Sequence, residues 1–228
     1  MNYYTFTKEK PELSIFQDNM KASIKSLFDS ILRIDHTYLH YTNEKSNKKT
    51  NRQIFEHVER VFTYELYRQW ANNKSRPKGT VVNAEISKIF YSELADEKVK
   101  LTFPDMVLHG GQNSSEHYLI CEIKRYENVK ANSTAQTEDL NKLGLFLNKA
   151  LKLKTKIVEW KEYQYGVYIL IGYKDSLPDM NSSLDYIKKR IKKNILNVPS
   201  EYHKKIICLA YNGDKKNIYY TTLDQLIS

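Results

Sequence analysis

The sequence predicts an α/β fold: one mixed β-sheet flanked by helices. Three observations carry this. Apolar runs such as "YGVYILIGY" are too short to span a bilayer and suit buried strands. Segments with apolar residues at helical spacing alternate with those runs. Their order is helix, three strands, helix, strand, helix, strand. Consecutive strands point to an antiparallel meander, and the later strand–helix–strand units to parallel crossovers.

Taken in order, residues 11–34 place Leu13, Phe16, Met20, Ile24, Leu27 and Ile31 on one helical side. After the polar "TNEKSNKKTN", a second helix runs from about Arg52 to Trp70, and "NNKSRPKG" breaks it. "TVVNAEISKIF" reads as a strand; two more, about 103–109 and 117–125, flank the turn "GGQNSSE". Ser133 or Thr134 can cap a helix with Leu140, Leu143, Leu147 and Leu151 on its apolar side. "YQYGVYILIGYK" is a buried strand, "SSLDYIKKRIKKNIL" a basic amphipathic helix and "KKIICLAY" another strand. "NGDKKNIYYTTL" completes a terminal hairpin with Asn212-Gly213 as its turn signal. The expected organisation is a single domain, with residues 1–50 a helical extension packed on a 51–228 core.

The 228 residues are 41% hydrophobic and 28% charged, ordinary for a globular protein with a proper core. Net charge is +9, and residues 151–228 supply +6 of it through 14 basic and 8 acidic residues. Such a balance favours a polyanionic partner, because each neutralised phosphate releases counterions. The 18 tyrosines add possible stacking surfaces. Cys121 and Cys208 lie in strand-like segments without metal or disulfide spacing, which fits the cytoplasm. No signal peptide or membrane span is expected.

Acids stand in two of the strands. The midpoint between Asp105 and Glu122 falls at Asn113 and Ser114, so a hairpin folded there brings the two opposite one another or one step off. Lys124 emerges on the face of Glu122, while Cys121 and Ile123 line the other. Two carboxylates about 5 Å apart repel by roughly 3 kcal/mol at an effective dielectric near 20. A hard divalent ion such as Mg²⁺ removes that conflict. A third acid comes from the second helix, whose stripe is Phe55, Val58, Phe62, Leu66 and Trp70. Glu59 falls inside this stripe and Glu65 on its margin, which makes Glu59 the first choice and Glu65 the second.

"FPD", followed after an interval by "EIK", resembles the signature of the PD-(D/E)XK nuclease superfamily. The element order over residues 52–173 resembles its αβββαβ core, the restriction-endonuclease-like fold. The resemblance implies a metal-dependent nuclease, DNA being favoured over RNA as substrate, with N-terminal helical and C-terminal αβ additions. It implies Asp105 and Glu122 as ligands of Mg²⁺, for which Mn²⁺ would substitute, with the Ile123 backbone carbonyl as a further ligand. Lys124 would orient the attacking water, and Glu59 would sit at the edge of the site. Gln136, Asp139 and Lys142 would be accessory residues on the second core helix. Members that cut both strands commonly dimerise, so a homodimer is also expected.

Plainer readings stand beside these. Asp105 could start a strand at its wet end, Glu122 and Lys124 could be a solvated pair, and Glu59 could pair with an arginine. Asp139 and Lys142, three apart on a helix, read as a surface ion pair. His109 and His117 bracket the turn, where a zinc role is the lesser reading. Lys188, Lys189, Arg190, Lys192 and Lys193 could grip phosphates, but read first as the exposed side of a helix packed through Tyr186, Ile187, Ile191 and Ile195. Glu85 could approach from the first strand. The competing functions are a catalytically silent nuclease-fold module that binds nucleic acid or a partner, and a structural protein with an accidental motif.

Overall fold

The computed structural model describes residues 4–34, 48–84, 104–111, 116–125, 134–148, 150–152, 157–159, 162–172, 180–193, 196–212 and 217–228. The main sheet contains β1 (Tyr4–Phe6), β2 (Thr80–Ala84), β3 (Met106–Gly110), β4 (His117–Arg125), β7 (Tyr165–Gly172), β8 (Ile206–Asn212) and β9 (Asn217–Thr222). Two short strands, β5 (Ala150–Lys152) and β6 (Ile157–Glu159), pair separately. The helices are α1 (Asp18–Leu32), α2 (Lys48–Ala71), α3 (Ala135–Leu147), α4 (Met180–Lys193) and α5 (Leu223–Ile227), with a 3₁₀ turn at Ser200–Lys205.

The sheet order is β1-β9-β8-β7-β4-β3-β2. β2, β3 and β4 form the antiparallel meander, and β4, β7 and β8 are parallel. The α/β expectation therefore holds as a seven-stranded mixed sheet flanked by helices. The terminal hairpin is present as the antiparallel β8–β9 pair, although its turn lies outside the described residues. β1 completes the sheet by pairing with β9, so the N-terminal segment belongs to the same layer as the rest.

Alternation along β4 assigns its two faces. Leu119, Cys121 and Ile123 pack with Met20, Ile24, Leu27, Phe62, Leu66 and Trp70 of α1 and α2. Ile120 packs on the other face with Leu140, Leu143 and Leu147 of α3 and with Leu184 and Ile187 of α4. Each such side chain, fully removed from water, contributes about 1.5–3 kcal/mol. α1 and α2 are also joined by polar contacts inside the core. Trp70 Nε1 donates to Ser26 Oγ at 2.9 Å, and Asn73 Nδ2 donates to the Ser26 carbonyl at 2.9 Å.

On the opposite face, Gly166 of β7 lets α3 approach closely. A Cβ there would come within 3.2 Å of Leu143 Cβ. α3 ends at Leu147, so Leu151, expected on its apolar side, belongs to β5. Thr134 stands at the N-cap of α3 but makes no side-chain capping bond there.

Candidate active site

The β3–β4 register pairs Met106 with Cys121, Val107 with Ile120 and Leu108 with Leu119, then shifts so that His109 faces His117. Asp105 lies just ahead of the first of these pairs. Its N–H donates to the Cys121 carbonyl at 3.1 Å, and its Oδ2 accepts from the Ile123 N–H at 2.6 Å. Those contacts fall on either side of Glu122 in the sequence, so the hairpin sets the two acids beside each other. The Ile123 carbonyl leaves β4 on the same edge as its N–H. There it lies past the start of β3, and Pro104 has no N–H to offer it.

Glu122 is 0% exposed, and among the described residues its Oε1 has no hydrogen-bond donor. An unpaired charge in such a place costs several kcal/mol unless it is neutralised. Burial, reinforced by the neighbouring Asp105 charge, pushes its carboxyl well above the usual carboxylate range. Burial also raises Asp105, against the pull of Lys124, the Ile123 N–H and Lys142.

The other site residues come from helices on both sides of the sheet. Glu59 of α2 reaches the end of β4, with Oε1 3.4 Å from Lys124 Nζ and Oε2 accepting from the Arg125 N–H at 3.2 Å. The strand's own lysine and backbone are thus among its partners. From α3, Asp139 places Oδ2 3.6 Å from Lys124 Nζ. Lys142 places Nζ 2.6 Å from Glu122 Oε2 and 3.6 Å from Asp139 Oδ1. The surface-pair expectation for these two is corrected: they do pair with each other, but Asp139 is only 6% exposed and both project into the acid cluster. The cause is packing, because α3 presses Leu140 and Leu143 onto the sheet and carries Asp139 in with them.

Burial pushes Asp139 up to about 6, although Lys124 and Lys142 pull the other way. Burial pulls the Lys124 ammonium down, but Asp139, Glu59, Asp105 and Glu122 outweigh it and hold it above its ordinary value. Lys142 behaves alike, with burial overcome chiefly by Glu122 and Asp139. Four carboxylates and two ammonium groups therefore meet at the C-terminal end of a parallel strand, where open α/β sheets commonly bind ligands.

Tyr168 went unnoticed in the sequence. It pairs with Glu122 across the β4–β7 ladder and is fully buried, with no hydrogen-bond partner for its hydroxyl among the described residues. Its only sequence signal is a polar tip in the middle of an apolar strand. Gln136 is buried, and its Nε2 donates to the Ile187 carbonyl at 3.2 Å, which ties α3 to α4.

Glu65 is corrected as a site candidate. It is held by Arg68 at 2.6 Å and Gln69 at 2.8 Å along its own helix, and its hydrogen bond to Arg68 keeps its carboxyl below the usual range. Glu85 lies outside the described residues. His109 and His117 do approach, with ring centroids 6.3 Å apart. However, Asn83 donates to His109 Nε2 at 2.8 Å and His109 Nδ1 donates to the Gly110 carbonyl at 2.5 Å, which leaves that ring no lone pair for zinc. α4 packs through Leu184, Ile187 and Ile191, with Tyr186 half-buried, while Lys189 is exposed and Lys188 half-buried. The side chains of Arg190, Lys192 and Lys193, and Ile195 entirely, fall outside the description.

No family model, curated protein or solved structure matches the chain. Among the described residues, no group of three or more His, Cys, Asp or Glu side chains is disposed to hold a metal ion. No helix among them is long and apolar enough to cross a membrane.

Proposed function

We propose that the chain is a divalent-cation-dependent nuclease that hydrolyses phosphodiester bonds on a restriction-endonuclease-like frame. The succession α2, the β2–β3–β4 meander, α3 and parallel β7 supports that frame. One observation carries the function: Glu122, fully buried and with no hydrogen-bond donor to Oε1 among the described residues, stands among Asp105, Asp139 and Glu59, with Lys124 and Lys142 set against them. If all six are ionised the cluster is two charges negative, an imbalance that draws a divalent cation toward it.

The donor set suits the hard oxygen preference of Mg²⁺, with Mn²⁺ as substitute. Asp105, Glu122 and the Ile123 carbonyl would hold the ion. When bound it supplies a polarised phosphate oxygen and a water of lowered pKa. Lys124, held by Glu59 and Asp139, is placed to orient that water and to stabilise charge developing on the phosphate. Glu59 also fixes the strand end through the Arg125 N–H. DNA as the preferred substrate rests on the sequence resemblance and the +9 charge.

The silent-module alternative has one observation in its favour: Lys142 already lies 2.6 Å from Glu122, so the cluster carries a cation of its own. Cleavage of single-stranded, duplex and branched DNA and of RNA, with Mg²⁺, Mn²⁺ or EDTA, separates the two. Cation-dependent cutting should fall at least about a hundredfold in Asp105→Ala and Lys124→Ala while nucleic-acid binding persists. Unchanged cutting by these variants would overturn the proposal. Binding without cutting or Mn²⁺ uptake would favour the silent module.

A further inference from the structure

We infer that Lys142 is a resident stand-in for the divalent cation: its ammonium occupies the mouth of the Glu122–Asp139 pair and must be expelled when an ion binds. This rests on the reading of the site as a cation-dependent nuclease.

The two lysines of the cluster are differently placed. Lys124 contacts Glu59 and Asp139, at 3.4 and 3.6 Å, and so leaves Glu122 open. Lys142 sits on Glu122 itself, 2.6 Å from Oε2, and bridges to Asp139 Oδ1 at 3.6 Å. An Mg²⁺ ion bonds carboxylate oxygen at about 2.0–2.1 Å, so an ion bound through Oε2 cannot share that oxygen's open side with the ammonium, and an ion bound through Oε1 would still lie beside it. The two cations would stand a few ångströms apart inside a buried pocket, where their repulsion is poorly screened.

The contact also leaves Glu122 half-satisfied. Among the described residues Oε1 is without a donor, in a side chain that is 0% exposed. One ammonium neutralises the carboxylate but cannot complete its coordination, which a metal with further ligands can. Lys142 has a way out. Its side chain is 15% exposed where that of Glu122 is 0%, and it rides on a flexible four-carbon stem from α3 rather than on the strand. In the cation-free protein the contact keeps the acids together; with a cation present it becomes a competitor that sets how much free ion the site needs.

The test uses the full chain and Mn²⁺ alone, with free Mn²⁺ counted by electron paramagnetic resonance and binding followed by calorimetry. Lys142→Met should bind Mn²⁺ on the order of tenfold or more tighter than wild type, whereas Lys142→Arg, which keeps the charge, should bind no tighter than wild type. In EDTA, Lys142→Met should melt below wild type, and Mn²⁺ should recover the deficit. Should Lys142→Met fail to fold in EDTA, folding on addition of Mn²⁺ supports the exchange, and failure to fold with Mn²⁺ overturns it. Wild type that binds Mn²⁺ as tightly as, or more tightly than, Lys142→Met would overturn the exchange alone. Folded wild type and Lys142→Met that both ignore Mn²⁺ would overturn the nuclease reading and the exchange with it.

Discussion

Asp139→Asn should make the folded chain more stable at neutral pH when divalent cations are withheld. Burial moves the Asp139 carboxyl from 3.8 to about 6, net of the opposing pull of Lys124 and Lys142. The folded form therefore holds the proton more tightly than the unfolded form does. Stability from this group is fullest below 3.8 and is lost as pH rises through about 6. A shift of that size costs up to about 3 kcal/mol once both states have lost the proton. Asparagine has nearly the same shape, cannot ionise, and can turn its amide oxygen toward the two lysines. The expected gain is about 1–3 kcal/mol at pH 8, fading toward zero near pH 4. Urea unfolding of both proteins in EDTA across that range measures it directly. A variant less stable at pH 8, or a difference that does not vary with pH, would refute the account of Asp139 as a strained member of the cluster.

The two acids of α2 should separate cleanly. Glu59→Gln takes an anion from beside Lys124 and should slow cutting about tenfold or more with binding retained, whereas Glu65→Gln should leave cleavage rates within about twofold. Trp70→Phe removes the buried hydrogen bond to Ser26 and should lower stability by about 1–3 kcal/mol in urea titrations, with no change in the cation dependence of cutting.

The legible part of the site was the part that lies on strands. With a period of two and a short turn, the positions of Asp105, Glu122 and Lys124 follow from counting, and a single register shift at Leu108/His109 does not upset them. Glu59 was readable because it stands inside a continuous apolar stripe, and Glu65 was demoted by neighbours one turn away that any exposed helix could supply. Asp139 and Lys142 were read as a solvated pair because opposite charges at i, i+3 have that pattern on any helix. A signal was present all the same: Asp139 lies one turn before Leu143, on the flank of the stripe that packs against β7. What counting could not supply is how deep that helix sinks. β1 is three residues long and owes its existence to the edge of β9, so no local pattern announces it. The same holds for β5 and β6, each three residues long and paired with each other apart from the main sheet among the described residues.

That depth traces back to a methyl group the chain does without. At Gly166 a side chain would meet Leu143 at 3.2 Å, and the helix would have to lift. Asp139 and Lys142 ride on the same rigid rod, so their reach toward Glu122 is calibrated by the smallest residue on a strand that holds none of the charged groups. The thickness of one layer of hydrocarbon thereby acts as a spacer for charge. Its adjustment would retune the site while every ionisable group stays in place.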